Sequence, residues 1–334
     1  MTSTAVIILN YNGARLLRQF LPGVIRYSQS AQIVVADNAS TDESRELLKK
    51  EFPAVRCIEL DRNYGYSGGY NRALQVVDAE YCVLLNSDVE ITDGWLQPMV
   101  SLLDNHPEIA AVQPKILSYN NREYFEYAGA GGGFIDTLGY PFCRGRVFDH
   151  LEKDFGQYND TREIFWASGA CLMIRRKVYE ELGGLNEDFF AHMEEIDLCW
   201  RIIRRGFSVY YCGSSTVYHI GAGTLAYGHP RKIYLNFRNN LRMLVYHLPA
   251  SQLVWKLPLR LALDWIAALR FLLRGEVRAF TSVLRAQANL AFQFRKVFNT
   301  RKKLSRALPY RMDGIYYGSI LLDYFIRKRT RLIG

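Results

Sequence analysis

The 334-residue chain predicts an α/β fold: a mostly parallel, Rossmann-like central sheet followed by a basic, helical carboxyl-terminal region. Three observations predict it. Short runs rich in Val, Ile and Leu at 5–10, 32–37, 55–60 and 81–86 alternate with stretches of helical period at 14–27, 42–52 and 69–77. Strands alternating with helices at this spacing form βαβ units with right-handed crossovers. Each strand also runs into a polar cluster, and open parallel sheets bind ligands outside the carboxyl ends of their strands. Finally, charge divides the chain. Residues 241–334 hold 18 Lys and Arg against four acidic residues, a net of +14, whereas residues 1–240 hold 24 against 29, a net of −5. A catalytic body at 1–240 with a basic appendage follows more naturally than a nucleic-acid binder.

The first strand, AVIILN, leads into Asn10, Tyr11, Asn12 and Gly13. One glycine in that turn does not make the G-x-G-x-x-G fingerprint, which excludes a nicotinamide dehydrogenase. QIVVAD ends on Asp37, whose carboxylate is suited to accept from a ribose hydroxyl or a base imide. Asp42, inside NASTDES, reads as a cap or first-turn acid of the next helix. After VRCIEL comes Asn63 to Asn71, containing Gly65, Ser67, Gly68 and Gly69; this glycine density lets backbone amides approach a ligand or lets a helix begin tightly. YCVLLN then delivers Asn86, Ser87 and Asp88. A carboxylate on a rigid strand end suits a hard divalent cation carrying a phosphate, and a plain strand-ending turn is the alternative.

Residues 115–165 lack regular period and carry YAGAGGGFIDTLGYP, which reads as a mobile acceptor-side loop or a simple connection. Arg144 and Arg146 in CRGR read as a solvated face or a contact to an anionic acceptor. From 193 to 206 apolar residues recur in helical register, which puts Glu194 and Glu195 near a helix amino terminus and Asp197 one turn before Arg201. The six cysteines are scattered without a C-x-x-C pair, so a reducing cytosol is expected, and no secretory leader is evident.

The segments VIILNYNG (6–13), DNASTDES (37–44), NYGYSGGYNRAL (63–74), LLNSDVE (84–90), WASGACLMIRR (166–176), FFAHMEEIDLCWR (189–201) and VYHIGAGT (217–224) together resemble the inverting family 2 glycosyltransferases, nearest to their rhamnosyltransferase-like branch. The resemblance covers about residues 1–240 and implies a GT-A fold, a nucleotide-sugar donor and a divalent metal, Mg2+ or Mn2+. It implies that Asn10, Tyr11, Asn12, Asp37, Asn63, Gly65, Ser67, Gly69, Asn71, Asn86, Ser87 and Asp88 frame the donor. Asp88 stands at the last aspartate of the family's D-x-D metal motif, while Asn86 replaces the first. His219 stands where a second metal ligand often falls. The family's general base points to Glu195, with Glu194 in reserve. Trp166, Ser168, Gly169 and Asp197 are placed at the pocket, although core packing for the first three and a helix-supporting pair with Arg201 for Asp197 are equally consistent with the residues.

In the appendage, KIYLNFRNNLRMLVYHLP (232–249) reads as a helix closing on the body. The following LVWKLPLRLALDWIAALRFLLRGE confines Lys256, Arg260, Asp264, Arg270 and Arg274 to about 120° of a helical wheel. Charges every four to six residues argue against a spanning helix and suit one lying in the membrane interface, with RKVFNTRKKLSR and RKRTR meeting anionic lipid. Packing on the body or on a second subunit is the alternative. The expected protein is a peripheral enzyme on the cytoplasmic face of the cell membrane that adds sugar to a glycan or polyprenyl-linked glycan for bacterial surface polysaccharide, with dTDP-rhamnose or another nucleotide sugar as donor. A nucleotidyltransferase on a similar core, or a non-catalytic nucleotide-sugar binding module, are the competing functions.

Overall fold

The computed structural model describes residues 3–126, 129–221 and 228–331. Along the chain lie β1 (Thr4–Asn10), α1 (Ala14–Tyr27), β2 (Gln32–Asp37), α2 (Ser44–Glu51), β3 (Arg56–Glu59), α3 (Gly65–Gln75), β4 (Tyr81–Asn86), β5 (Val89–Ile91), α4 (Leu96–Asn105) and β6 (Ile109–Ser118). Then follow β7 (Gly133–Ile135), β8 (Pro141–Cys143), β9 (Arg146–Val147), β10 (His150–Leu151), β11 (Thr161–Ile164), β12 (Cys171–Arg175), α5 (Arg176–Glu181), α6 (Glu194–Arg205) and β13 (Ser208–His219). Four helices close the chain: α7 (Pro230–His247), α8 (Ala250–Leu273), α9 (Val277–Phe292) and α10 (Phe294–Ala307).

The central sheet runs β11-β13-β6-β12-β4-β1-β2-β3, with β5 paired to β13. β3, β2, β1 and β4 are mutually parallel, as the alternation of apolar runs and helices predicts. β12 enters antiparallel between β4 and β6. Parallel strands covered on both faces need apolar side chains on both, and Val6, Ile7, Ile8, Val83, Leu84 and Leu85 are all buried. Alternate residues enter two different cores, so Ile7 and Leu84 face one while Val6 and Val83 face the other.

The glycine-rich run begins α3 instead of forming a loop. A Cβ on Gly69 would lie 2.5 Å from Leu9 Cδ1, so the missing side chain lets α3 settle directly on β1. Asp42 caps across elements: it accepts from the Ala14 amide at the start of α1 and from the Ser44 amide at the start of α2.

The insertion is neither a surface loop nor a bare connection. β7 to β10 form a second, antiparallel sheet of four strands, and Phe134, Ile135, Phe142 and Val147 are buried. Arg144, expected at a solvated face or an anionic acceptor, is buried and paired with Asp160 through both terminal nitrogens at 2.9 Å. Arg146 is also buried, its Nε donating to Phe148 O. Gly133 joins the two sheets: a Cβ there would stand 2.2 Å from Trp166 Cδ2 and 2.6 Å from the Trp166 carbonyl oxygen. Gly133→Ala is therefore expected to destabilise the protein by about 1–3 kcal/mol through overpacking, read as a lower urea midpoint at unchanged slope.

Residue 240 falls inside α7, which continues unbroken to His247. Arg204 on α6 donates to the Tyr246, Leu304, Leu308 and Pro309 carbonyls, so the closing helices are tied to the body by buried hydrogen bonds. α8 turns Lys256, Arg260 and Asp264 inward, where they are buried, while Arg270 near its end is exposed along with Trp255, Ile266 and Leu269. Among the described residues no helix is long and apolar enough to cross a membrane.

Candidate functional site

The carboxyl ends of β1, β2 and β4 share one edge of the sheet, and the chain from each turns there. Asn10 is buried and donates to Asp37 Oδ2 at 3.1 Å and to Ser40 Oγ at 3.2 Å. Its Oδ1 is buried without a partner. Asn12 takes a positive φ of 51° and accepts from the Thr41 amide, while Tyr11 beside it is exposed. Asn63 Oδ1 accepts from Asn38 Nδ2 and from the Gly65 amide, which ties the start of α3 to the end of β2. Ser87 lies beside Gly13, linking the turns after β4 and β1.

Asp37, the expected acceptor for a ribose hydroxyl or a base imide, is buried at the end of β2. Its carboxylate is closed to solvent and paired with Arg45 Nε at 2.8 Å. Burial opposes its charge, but hydrogen bonds from Ser40, Arg45 and Asn10 outweigh burial and hold the pKa below the ordinary value. It braces the ends of β1 and β2 through Asn10 and the Ser40 amide. Ser67 is likewise buried, and Asn71 spends its amide on the 184–187 turn, donating to Leu185 O and accepting from the Leu185 amide and the Tyr179 hydroxyl.

Asp88 and His219 meet because β5 pairs antiparallel with β13, with Val89 opposite His219. A slip of one residue would turn His219 to the other face. His219 Nε2 lies 3.2 Å from Asp88 Oδ1, and Nδ1 lies 3.3 Å from Glu126 Oε2. Glu126 arrives by a backbone bond from its amide to Ile116 O, on the strand next to β13. Burial opposes a charge on His219, yet the two carboxylates overcome it and lift the pKa to about 10. The cluster is thus a chain of three groups, Asp88, His219 and Glu126, with the imidazole between the two carboxylates.

Those donors fit a divalent ion in one respect. A spacing of 3.2 Å between a carboxylate oxygen and an imidazole nitrogen is that of neighbouring ligands on an ion with bonds of about 2.0–2.3 Å. Glu126 behind the other ring nitrogen is the carboxylate that orients a ligating histidine. Among the described residues no group of three His, Cys, Asp or Glu side chains could hold a metal, so a cation here needs donor oxygens as well. Binding would displace the His219 proton. Of the VYHIGAGT motif, Ala222, Gly223 and Thr224 lie outside the described residues.

Glu194 and Glu195 are the first two residues of α6. The segment before them is strained: Phe190, His192 and Met193 all take positive φ, at 66°, 69° and 72°. Side chains without glycine's freedom hold such conformations only when their surroundings enforce them. α7 supplies the enforcement. Asn239 Nδ2 lies 3.1, 2.9 and 2.7 Å from the Phe189, Ala191 and His192 carbonyls, and Arg238 Nη2 donates to the Asp188 and Phe189 carbonyls.

Burial raises the pKa of Glu195 to about 7, and it raises that of Glu194 well above the carboxylate range with help from the charge of Glu195. One Oε2 on each is buried without a partner. Two carboxyls pushed upward by burial, with unsatisfied oxygens, are equipped to take a proton near neutral pH. Tyr66 borders both acids and donates to Gly169 O at 2.6 Å, and its amide donates to Phe190 O. Gly169 therefore joins this corner. Trp166 and Ser168 do not: the Trp166 indole donates to Phe134 O under the second sheet, and the Ser168 amide donates to Gln113. Asp197 is also withdrawn, fully buried between Arg201 at 2.8 Å and His247 at 2.8 Å.

The Asn86 amide donates to Ala170 O, next to Gly169, which connects the Asp88 edge to the acid pair through the 166–170 turn. Three contributors escaped sequence reasoning. Tyr66 sits among the glycines and Asn239 in the Asn-Asn pair of FRNNLR, both visible signals; Glu126 has no local one.

A family model described as "Glycosyl transferase family 2" matches residues 5–183, more than half of the chain. A hexosyltransferase of low-salt glycan biosynthesis from Haloferax volcanii is 26% identical over 240 residues, covering 70% of this chain and 73% of the relative. An N-acetylglucosaminyl-diphospho-decaprenol L-rhamnosyltransferase from Mycobacterium tuberculosis is 25% identical over 230 residues, covering 64% and 75%. Among solved structures, a mannosyltransferase from Pyrobaculum calidifontis in complex with GDP-Man and Mn2+ superposes with a TM-score of 0.53 at 17% identity, covering 92% of this chain and 86% of that one. GalNAc-T7 with UDP, GalNAc and Mn2+ superposes with a TM-score of 0.58 at 17% identity, covering 75% of this chain and 49%, about half, of that one.

Proposed function

The chain belongs to glycosyl transferase family 2, in its rhamnosyltransferase-like branch with a GT-A fold, and from that membership we propose an inverting, metal-dependent transfer of sugar from a nucleotide-diphosphate sugar to a hydroxyl of a glycan or lipid-linked glycan. dTDP-rhamnose is the first donor to test, since the mycobacterial relative bears the name of an L-rhamnosyltransferase. The observation that carries the reading is the raised acid pair at the start of α6, joined through Tyr66 and the 166–170 turn to the Asp88 edge.

In this mechanism Glu195 accepts the proton of the acceptor hydroxyl as its oxygen forms the bond to the anomeric carbon. The nucleoside diphosphate departs from the opposite face, so configuration inverts. Burial holds the Glu195 pKa high, while Glu194, one residue earlier and raised further, stays protonated beside it. The Tyr66 phenol stays protonated, because burial raises its pKa, and so bonds the Gly169 carbonyl and fixes the wall between acids and donor. Asn10, Asn12 and Asn63 shape the nucleoside edge. A divalent cation held by Asp88 and His219 would offset the diphosphate charge. The proposed setting is the cytoplasmic face of the cell membrane, with a basic carboxyl-terminal third meeting anionic lipid and the product entering surface polysaccharide.

A panel of UDP-, dTDP- and GDP-sugars, each with Mg2+ or Mn2+, tests the reading. One donor at 100 times its Kd is expected to stabilise the fold by about 2.7 kcal/mol, seen as a higher melting temperature. Product from that donor should carry the inverted anomeric configuration by NMR. No response to any donor, or retained configuration, would refute the proposal.

A further inference from the structure

α8 is amphipathic with its polar stripe turned toward the protein. Lys256 donates to Gln252, and Arg260 pairs with Asp264, donates to Leu138 O and stands 3.6 Å from the Tyr140 ring centre. The first two contacts lie within the helix, and those of Arg260 with Leu138 and Tyr140 anchor the charged face on the body. The opposite face is left to solvent, and it is apolar: Val254, Trp255, Leu259, Ile266, Leu269 and Leu273 are between 40% and 89% exposed. The spacing keeps them in one continuous stripe roughly 28 Å long.

The border of that stripe is cationic. Arg270 and Arg274 end the helix, and the Arg270 guanidinium lies 5.4 Å from the ring centre of Phe325. This contact brings the 322–331 segment alongside, with Leu322 and Ile326 exposed and followed by exposed Arg327, Lys328, Arg329 and Arg331. Arg327 and Arg329 share the buried Asp323, and Arg331 pairs with Glu152, so two acids stand against the six cations at 270, 274, 327, 328, 329 and 331 and the border keeps a positive excess. An apolar stripe of this length on a soluble surface marks an interaction site. A second copy of the chain would bring these cationic borders against each other, whereas an anionic surface complements them. Trp255 and Trp265, both half exposed, have the amphipathic rings that settle at headgroup depth.

We infer that the outward face of α8, flanked by Arg270, Arg274 and the 327–331 basic run, docks on an anionic lipid bilayer, with the helix lying in the interface plane. The inference rests on the membrane-surface reading above and names the face that makes the contact; it needs no turnover.

The full-length protein is floated with vesicles of phosphatidylcholine, with and without phosphatidylglycerol. Expected is flotation with the anionic vesicles that weakens as salt is raised. Trp255→Ser, Ile266→Ser and Leu269→Ser combined should lower the partition coefficient at least about tenfold. Arg270→Ser with Arg274→Ser should lower it on anionic vesicles alone. Unchanged flotation of the triple variant, or no flotation of the parent, overturns the inference. So does a parent that is dimeric in solution, fails to float, and becomes monomeric in the triple variant, which would assign the face to self-association. The donor-induced rise in melting temperature is measured on each variant. Its persistence shows an intact fold, and its absence from a parent that floats would sink the glycosyltransferase reading while leaving the docking face standing.

Discussion

Glu195→Gln is expected to lower kcat by about 10²–10⁴-fold, the range that a positioned general base contributes. The amide keeps the size of the carboxyl, so the donor-induced melting shift should match that of the parent. Near-parent turnover would remove Glu195 as base. The pH dependence gives an independent reading. A base works only when unprotonated, and burial raises the Glu195 pKa to about 7. kcat/KM should therefore climb as pH rises through an apparent pKa near 7, well above that of an ordinary carboxylate. Because the two acids are adjacent, the macroscopic value belongs to the pair. Glu194→Gln should leave that limb near 7, since burial alone raises the Glu195 pKa. The same shifts act on stability. A carboxyl whose folded pKa exceeds its unfolded one loses stability as pH rises from the unfolded value through the folded one. Glu194→Gln should thus unfold at higher temperature than the parent at pH 8, with the advantage gone at pH 4.

Asp197→Ala is expected to destabilise the protein by about 3–5 kcal/mol, because it strands the buried Arg201 cation and removes the hydrogen-bond partner of His247. Asp197 faces Arg201 on its own helix and His247 at the end of α7, and neither it nor His247 is open to solvent. Burial opposes the Asp197 charge, but Arg201 and His247 prevail and hold its pKa down. The His247 ring also stacks on Trp200, with ring centres 4.7 Å apart. Removing the carboxylate leaves Arg201 without its partner and looses α7 from α6. The melting temperature should fall on the order of 5–10 °C by calorimetry. A loss under about 1 kcal/mol would show that the pair bears little of this junction.

The parallel half of the sheet is legible in the sequence because its signals are local. β1, β2 and β4 are uninterrupted apolar runs, and α1 shows its period without reference to anything else. The antiparallel second sheet is not legible. Its strands have two or three residues, and Gly133 gains its meaning only from Trp166, far along the chain. Arg144 looked solvated because its partner, Asp160, is sixteen residues away. α8 shows both faces in its sequence but not which one turns inward; that is decided by Leu138 and Tyr140, over a hundred residues earlier. At the site, Asp88, His219 and the acid pair could be named from motifs. The closure of Asp37 could not, since it depends on Arg45 swinging back from α2.

The three left-handed residues ahead of Glu194 also set an order of events. Each such conformation is opposed by roughly 1–3 kcal/mol of backbone strain, so 190–193 has no reason to adopt its shape unaided. Its restraint, Asn239, is synthesised more than forty residues later, on α7. A nascent chain that has finished the sheet still holds 190–193, and the acid pair that follows it, slack. That corner is set only once α7 is made, the first of the helices that close the chain and before most of the protein's basic surface.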